Sequence, residues 1–553
     1  MAGAVAGGES NIAIGSEALD ALTSGDENVA IGGSAGSAIN TGAENVFVGH
    51  QSGLLLTTGA NNIALGKQAL KTTTTGSQNI CIGGGAGQLG DMTNGKNILI
   101  GQVAGQDMTS GVSNVVIGDL AGKEATSGGE NVIIGSGAVD TGVLTASYNV
   151  VIGREAGKNK TSGGSNVFLG YQSGEQCTTS ARSIFIGSTA GDDHDTENDN
   201  LGIGTGALGG AIAGGEDNVA IGNGALAALT TADGTIAIGF EAGHAVTTDG
   251  GGSIFIGKNA GHDVTTGHSN IMIGEFVGDG FDAEVHNLAI GRGAFGGAVN
   301  GGEQNVTIGN ESLAVLTTAD ACTMMGYQAG TAISTGGQNT FIGQRAGKGV
   351  TEGFSNVLIG ANAAEGNSVT LTTGDQNTLV GRNIQTTDAD TNIANGLGYF
   401  LSCEGGYTTL GQSGDDIRAA HGNVTWATVS DKRFKKNIET SDAGLAVIND
   451  LRPVTYNWKT MGEIPEWSKW YEEGSDEHYK NSKLNHGFIA QEVKAVIDSH
   501  SELKDGFDMW DERSDGQQEV GETAIVPILV KAVQELSATV TTLQQEINTL
   551  KGE

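Results

Sequence analysis

Proline is nearly missing from this chain, with 3 in 553 residues against 93 glycines. Aromatic residues make up only 5%. That is too little bulky apolar surface for several conventional cores, although the length alone would allow roughly three or four domains. Basic side chains are scarce as well: 28 against 63 acidic ones, a formal charge of -35. Nucleic acid and anionic lipid are both bound through clustered Lys and Arg, so neither is an expected partner. No run approaches the roughly 18 apolar residues of a membrane span. The start, MAGAVAGGESNIAIG, lacks a basic stretch followed by an apolar one, and neither a secretion signal nor membrane insertion is expected. The four cysteines, Cys81, Cys177, Cys322 and Cys403, lie 96, 145 and 81 residues apart. That fits no zinc spacing and no compact disulfide framework, so they read as packing residues, with no metal and no cofactor expected.

What the chain has in abundance is a repeat. The pattern Asn-x-x-x-Gly, mostly Val or Ile inside, begins at Asn11, Asn28, Asn45, Asn62, Asn79, Asn97, Asn114, Asn131, Asn149, Asn166, Ser183 and Asn200. It continues at Asn218, Thr235, Ser253, Asn270, Asn287, Asn305, Cys322, Asn339, Asn356 and Asn377, giving 22 copies. All spacings but the last are 17 or 18 residues; Asn fills the first position in 18 copies and Gly the fifth in all. Such a period means a stacked architecture. Each unit reads as a short strand such as NVVIG, a small-residue turn such as REAG, and a polar Thr/Ser/Gly stretch. The Gly suits a backbone position with φ > 0 or too crowded for a Cβ, and alternate Ile/Val side chains are expected to point inward. At about 4.8 Å per strand, 22 coils predict a rod of roughly 105 Å. Asn stacked on Asn predicts an amide ladder, a structural rather than a ligand-binding role. Calcium-binding rolls would need an Asp in every Gly-rich turn. An ice-binding solenoid would need Thr-x-Thr on a flat strand face, whereas Thr57, Thr58, Thr247 and Thr248 precede glycines.

The NVAIG-x-x-AG units of residues 11–381 resemble the head repeats of trimeric autotransporter adhesins and similar repeats of phage tail fibres. The resemblance implies a mainly β fold, a trimeric β-roll or β-prism-like solenoid rod of about 17-residue coils occupying residues 1–381. Residues 382–429 lose the period and read as a small β-rich distal tip module. It contains NGLGYFLSCEGGYTTLGQ and HGNVTWATV. Glu404, Asp415, Asp416 and His421 in it read as solvated side chains, with no paired carboxylates in a catalytic arrangement.

Beyond residue 430 the composition changes. All three prolines (Pro453, Pro465, Pro527), four of the five tryptophans and 14 of the 28 basic residues lie there. The segment opens with SDKRFKKNI, continues with LRPVTYNWK and HGFIAQEV, and ends in an apolar heptad series: Leu529, Val533, Leu536, Val540, Leu543, Ile547 and Leu550. This order of motifs resembles the C-terminal intramolecular chaperone and self-cleaving peptidase domain of phage endosialidases, tail spikes and tail fibres. The resemblance spans residues 430–553 and implies a small α+β chaperone domain with a C-terminal coiled coil at 528–551. By the same resemblance the domain trimerises the fibre ahead of it and cuts itself free between Val429 and Ser430. Ser430 would be the nucleophile and Lys435 its general base. A serine hydroxyl needs a base, and a lysine serves only when burial or neighbouring positive charge, here Lys432, Arg433 and Lys436, lowers its pKa. His486, Gln491 and Glu492 are candidate supporting residues that could orient the bond or donate to its oxyanion. The alternation of β-branched residues with Leu in the heptads favours two strands by the simple rule. The rod repeat and the terminal domain both imply three.

The implied function is a phage tail-fibre or spike precursor. Its partners would be two further copies of itself in a homotrimer, a host cell-surface receptor or glycan, and other virion tail proteins. It would be assembled in the host cytoplasm and reside in the virion tail fibre. The alternative is a trimeric surface adhesin whose terminal domain trimerises without cleavage.

Overall fold

In a computed structural model, the described residues are 8–248, 251–297, 300–366, 369–413, 415–423, 426–428, 430–503, 507–513 and 516–552. The chain divides into two compact units, Met1–Val429 and Ser430–Glu553.

The first unit is a β-solenoid. Each of the 22 repeat copies supplies one three-residue strand, from β1 (Ile12–Ile14) to β22 (Thr378–Val380). Consecutive strands pair in parallel and in the same register, as in Ile98↔Val115, Leu99↔Val116 and Ile100↔Ile117. Beyond β22 come β23 (Gln385–Thr386), β24 (Asn395–Tyr399), β25 (Ser402–Cys403), β26 (Tyr407–Gln412), β27 (Asp415–Ala420) and β28 (Ala427–Thr428). β24 and β26 continue the same parallel sheet, β27 and β28 close it antiparallel, and β23 pairs with β25. The described residues after β22 thus extend the stack, and β24, β26 and β27 are longer than the repeat's strands.

The expected ladder is present. Asn114 Nδ2 donates to Asn97 Oδ1 (3.1 Å) and to Gly128 O (2.8 Å), while Asn114 Oδ1 accepts from Asn131 N (3.0 Å) and Asn131 Nδ2 (3.0 Å). These amides are almost completely buried. The fifth-position glycine satisfies both readings of its role: Gly101 has φ +141°, and a Cβ there would lie 2.1 Å from the carbonyl oxygen of Gly118 in the next coil.

One expectation is corrected. Alternation holds, but the strand residue that turns inward is the middle one, such as Ala30, Phe47, Leu99 or Phe168, each fully buried. In a three-residue strand of period two, only one side chain can face the coil interior. Most of the Val and Ile in the repeat therefore point outward, half-buried or exposed: Ile31, Val48, Ile184, Ile238, Ile271 and Ile342 are 36–37% exposed. The four cysteines are buried and unpaired, as expected of packing residues. Burial pushes the Cys81 thiol up to about 12.

The second unit is a small α+β body. It contains helices α1 (Leu445–Asp450), α2 (Ala490–Ser499) and α3 (Val526–Lys551), with antiparallel pairs β29 (Val454–Tyr456) with β30 (Asn485–Gly487) and β31 (Trp510–Glu512) with β32 (Gln518–Val520). Its core joins Val447, Val493, Ile497, Met509 and Ile528. Glu535 of α3 accepts from the backbone N–H of Leu445 (2.8 Å), supplying the cap that Gly444 cannot. The heptad residues of α3, from Leu529 to Leu550, are 40–88% exposed. This helix is long and apolar enough to cross a membrane by length and composition. Its apolar residues follow the heptad spacing, however, with Thr, Gln and Glu between them.

Asn114→Ala should remove the acceptor of two buried donors and the donor of one carbonyl. The cost is about 1–3 kcal/mol for each group left unpaired, and hydrogen exchange should show lost protection concentrated in the neighbouring coils. Gly101→Ala should be worse, because neither φ nor space permits the methyl.

Candidate active site

Ser430 begins the second unit, and the chain at once folds back on itself. Residues Lys432–Phe434 make a single 3₁₀ turn capped by Asp431, whose carboxylate accepts from Arg433 N (2.8 Å). Lys435 N donates to Lys432 O (3.1 Å). This turn brings the two ends of the Ser-Asp-x-Arg-x-Lys motif together: Lys435 Nζ donates to Ser430 Oγ at 2.7 Å. Five residues of extended chain would hold them far apart; one tight turn closes the gap.

Asp431, which sequence reasoning passed over, holds this turn together with Arg433. Asp431 caps it and receives the Arg433 guanidinium at Oδ2, through Nε (2.9 Å) and Nη2 (2.5 Å). Arg433 holds the Asp431 carboxyl below its ordinary range. The signal was in the motif, since an Asp and an Arg two residues apart inside a Ser-to-Lys turn have a reason to be there. Arg433, expected as one of three positive neighbours of Lys435, is thus paired with Asp431. Ser430 and Lys435 are both exposed, as are Phe434 (80%) and Ile438 (58%). The burial that would favour a neutral lysine is not supplied by this chain alone. Val429, on the other side of the expected cut, lies outside the described residues.

The other candidates sit elsewhere. His486, on β30 opposite Thr455, is exposed beside a shallow depression lined by Pro453, Phe488 and Glu522. Gln491 is exposed in the first turn of α2 and lines a hollow with Trp458, Trp467 and Tyr479. Glu492 is bound in bidentate fashion by Arg452, Nε to Oε2 at 2.9 Å, which holds its carboxyl below the usual range. Among the described residues no hydrogen bond or ion pair links these three to Ser430 or Lys435. In the first unit, His421 is exposed near Asn395 Nδ2 (3.1 Å), and Glu404 pairs with Arg418 (2.5 Å).

The Peptidase_S74 family model, chaperone of endosialidase, matches residues 430–501. No curated protein and no solved structure matches the chain. The chain therefore carries a C-terminal intramolecular chaperone domain of the endosialidase type behind a long β-solenoid. That family implies a self-cleaving serine peptidase and a phage tail-fibre setting.

Within the matched span, His500 at the end of α2 meets Asp450 Oδ2 through Nε2 (2.9 Å) and Glu502 Oε1 through Nδ1 (3.0 Å). The two hydrogen bonds, Asp450 first, raise the imidazole pKa above its ordinary 6.5. A raised folded-state value means stability that is fully present below about 6.5 and is lost as pH rises through the folded pKa. Urea unfolding followed through the tryptophans, four of five of which lie in this unit, should show this loss. Asp450→Asn should flatten it.

Proposed function

We propose that this chain is a phage tail-fibre or spike precursor in which three copies wind into a host-recognition rod. The terminal domain starts that winding and then releases itself by cutting between Val429 and Ser430. The observation that carries the reading is the 2.7 Å contact of Lys435 Nζ with Ser430 Oγ at the first residue of the matched domain. Once neutral, the same nitrogen is placed to accept the hydroxyl proton, making Oγ the nucleophile toward the preceding carbonyl. Both groups are exposed in one chain, so closure by neighbouring copies is what would desolvate the lysine and time the cut to assembly.

Two apolar surfaces support self-association. One is the outward column of Val and Ile along the sheet, and the other is the exposed heptad seam of α3. A seam of about three heptads is marginal alone, which suits a helix that registers partner chains during assembly. Parallel stacking over hundreds of residues is slow, and 22 near-identical coils can slip by one. A module that gathers the chains in register gives winding a starting point. Its removal by cleavage leaves the finished rod without a route back, held kinetically.

Wild-type protein should yield pieces of 429 residues and of 124 residues, the latter being 553 less 429. Ser430→Ala and Lys435→Met should give intact chains that still assemble, seen by denaturing gel and native mass spectrometry. An uncut wild type would favour the adhesin alternative, and a cut Ser430→Ala would remove Ser430 as nucleophile. The double change Val115→Lys and Ile117→Lys alters only outward-facing side chains. It should leave the coil folded by circular dichroism while abolishing the trimer.

A further inference from the structure

The outer surface of the solenoid carries one cluster of side chains that neither the repeat nor the cleavage reaction uses. His262 and Asp263, from the coil that begins at Ser253, meet Asp279 from the next coil. One ligand atom from each lies within 4.8 Å of the others, the only such group of three among the described residues. His262 Nδ1 faces Asp263 Oδ1 at 2.6 Å, and its Nε2 lies 3.8 Å from Glu241 Oε2 on the preceding coil. The Nδ1–Asp263 contact is a hydrogen bond that places the proton on Nδ1; a metal ion bound at Nδ1 would displace that proton, and Glu241 faces the other ring nitrogen, which would then carry the ring's remaining N–H. The ring of His244 stacks on His262 at 5.1 Å and 7°, which limits its rotation.

The charge in this cluster is unbalanced as it stands. Asp263 and Asp279 bring two carboxylates together with a single imidazole, and among the described residues neither carboxylate forms an ion pair with a lysine or arginine. A bound cation would compensate the two carboxylate charges.

We infer that His262, Asp263 and Asp279 form a binding site for a first-row divalent transition-metal ion that staples one coil of the solenoid to the next. The imidazole selects against calcium and magnesium, which prefer all-oxygen sets, and one nitrogen with two carboxylates suits zinc, cobalt or nickel, water completing the shell. Metal–ligand bonds of about 2.0–2.2 Å place ligand atoms roughly 3.3–4.4 Å apart, so the present separation closes with small side-chain rotations.

The test uses the full-length, tag-free Ser430→Ala chain, titrated with zinc by calorimetry and with cobalt by visible absorption. One equivalent per chain should bind, with added hydrogen-exchange protection across residues 262–279. His262→Ala and Asp279→Asn should each weaken binding at least tenfold. His244→Phe, which keeps a stacking ring, should bind as the parent does, and so should the double variant His268→Ala, His286→Ala on another part of the surface. Calcium should not compete at a hundredfold excess. The inference is overturned if no stoichiometric binding is seen, if the His262 and Asp279 variants titrate like the parent, or if calcium displaces zinc.

Discussion

Everything in the first unit depends on how one coil sits on the next. The first-position amide bonds both to the amide below it and to a carbonyl in the coil above, so a coil cannot rotate or slide without stranding buried donors. The fifth-position glycine adds the steric half of the constraint. Its carbonyl neighbour in the next coil occupies the place of a Cβ, so the backbones approach more closely than any other residue would allow. Where Ser replaces Asn the contact upward is longer, 3.4 Å from Asn200 N to Ser183 Oγ and 3.2 Å from Asn270 N to Ser253 Oγ, a local weakening of the column.

The tight interior has an external consequence. Because one strand residue in three fills the core, the repeat's many Val and Ile are left over for the outside. A soluble lone solenoid would place polar residues there. The two units are therefore complementary in chemistry. The solenoid is rich in outward-facing apolar side chains. The terminal unit is a conventional small body with its own core, a helix cap and an exposed apolar helix. The catalytic candidates lie at the first residues of that second body.

The solenoid was legible from the period alone, and the Asn and Gly roles followed from their fixed spacing. Which strand residue turns inward was not, because a tripeptide of three apolar residues offers no polar marker of its outer face. Ser430 and Lys435 were legible only through the motif around them. Their contact depends on a turn set by Asp431 and Arg433, whose importance appears once the backbone is seen to reverse there. Glu492 shows the converse. Its place in a shared motif suggested chemistry, and the structure gives it Arg452 as a partner between α2 and the end of α1. The histidine pair His244 and His262 escaped notice because one imidazole per coil, 18 residues apart, looks like chance until the coils are stacked.

Identical strand register from β1 to β22 also means that strand pairing itself does not distinguish one coil from the next. Deleting or duplicating a whole unit in the gene would rejoin amide to amide and glycine to glycine, leaving both termini of the stack as they were. Reach is thereby separated from assembly chemistry, and a lineage could lengthen or shorten this molecule in steps of one strand spacing without redesigning either end.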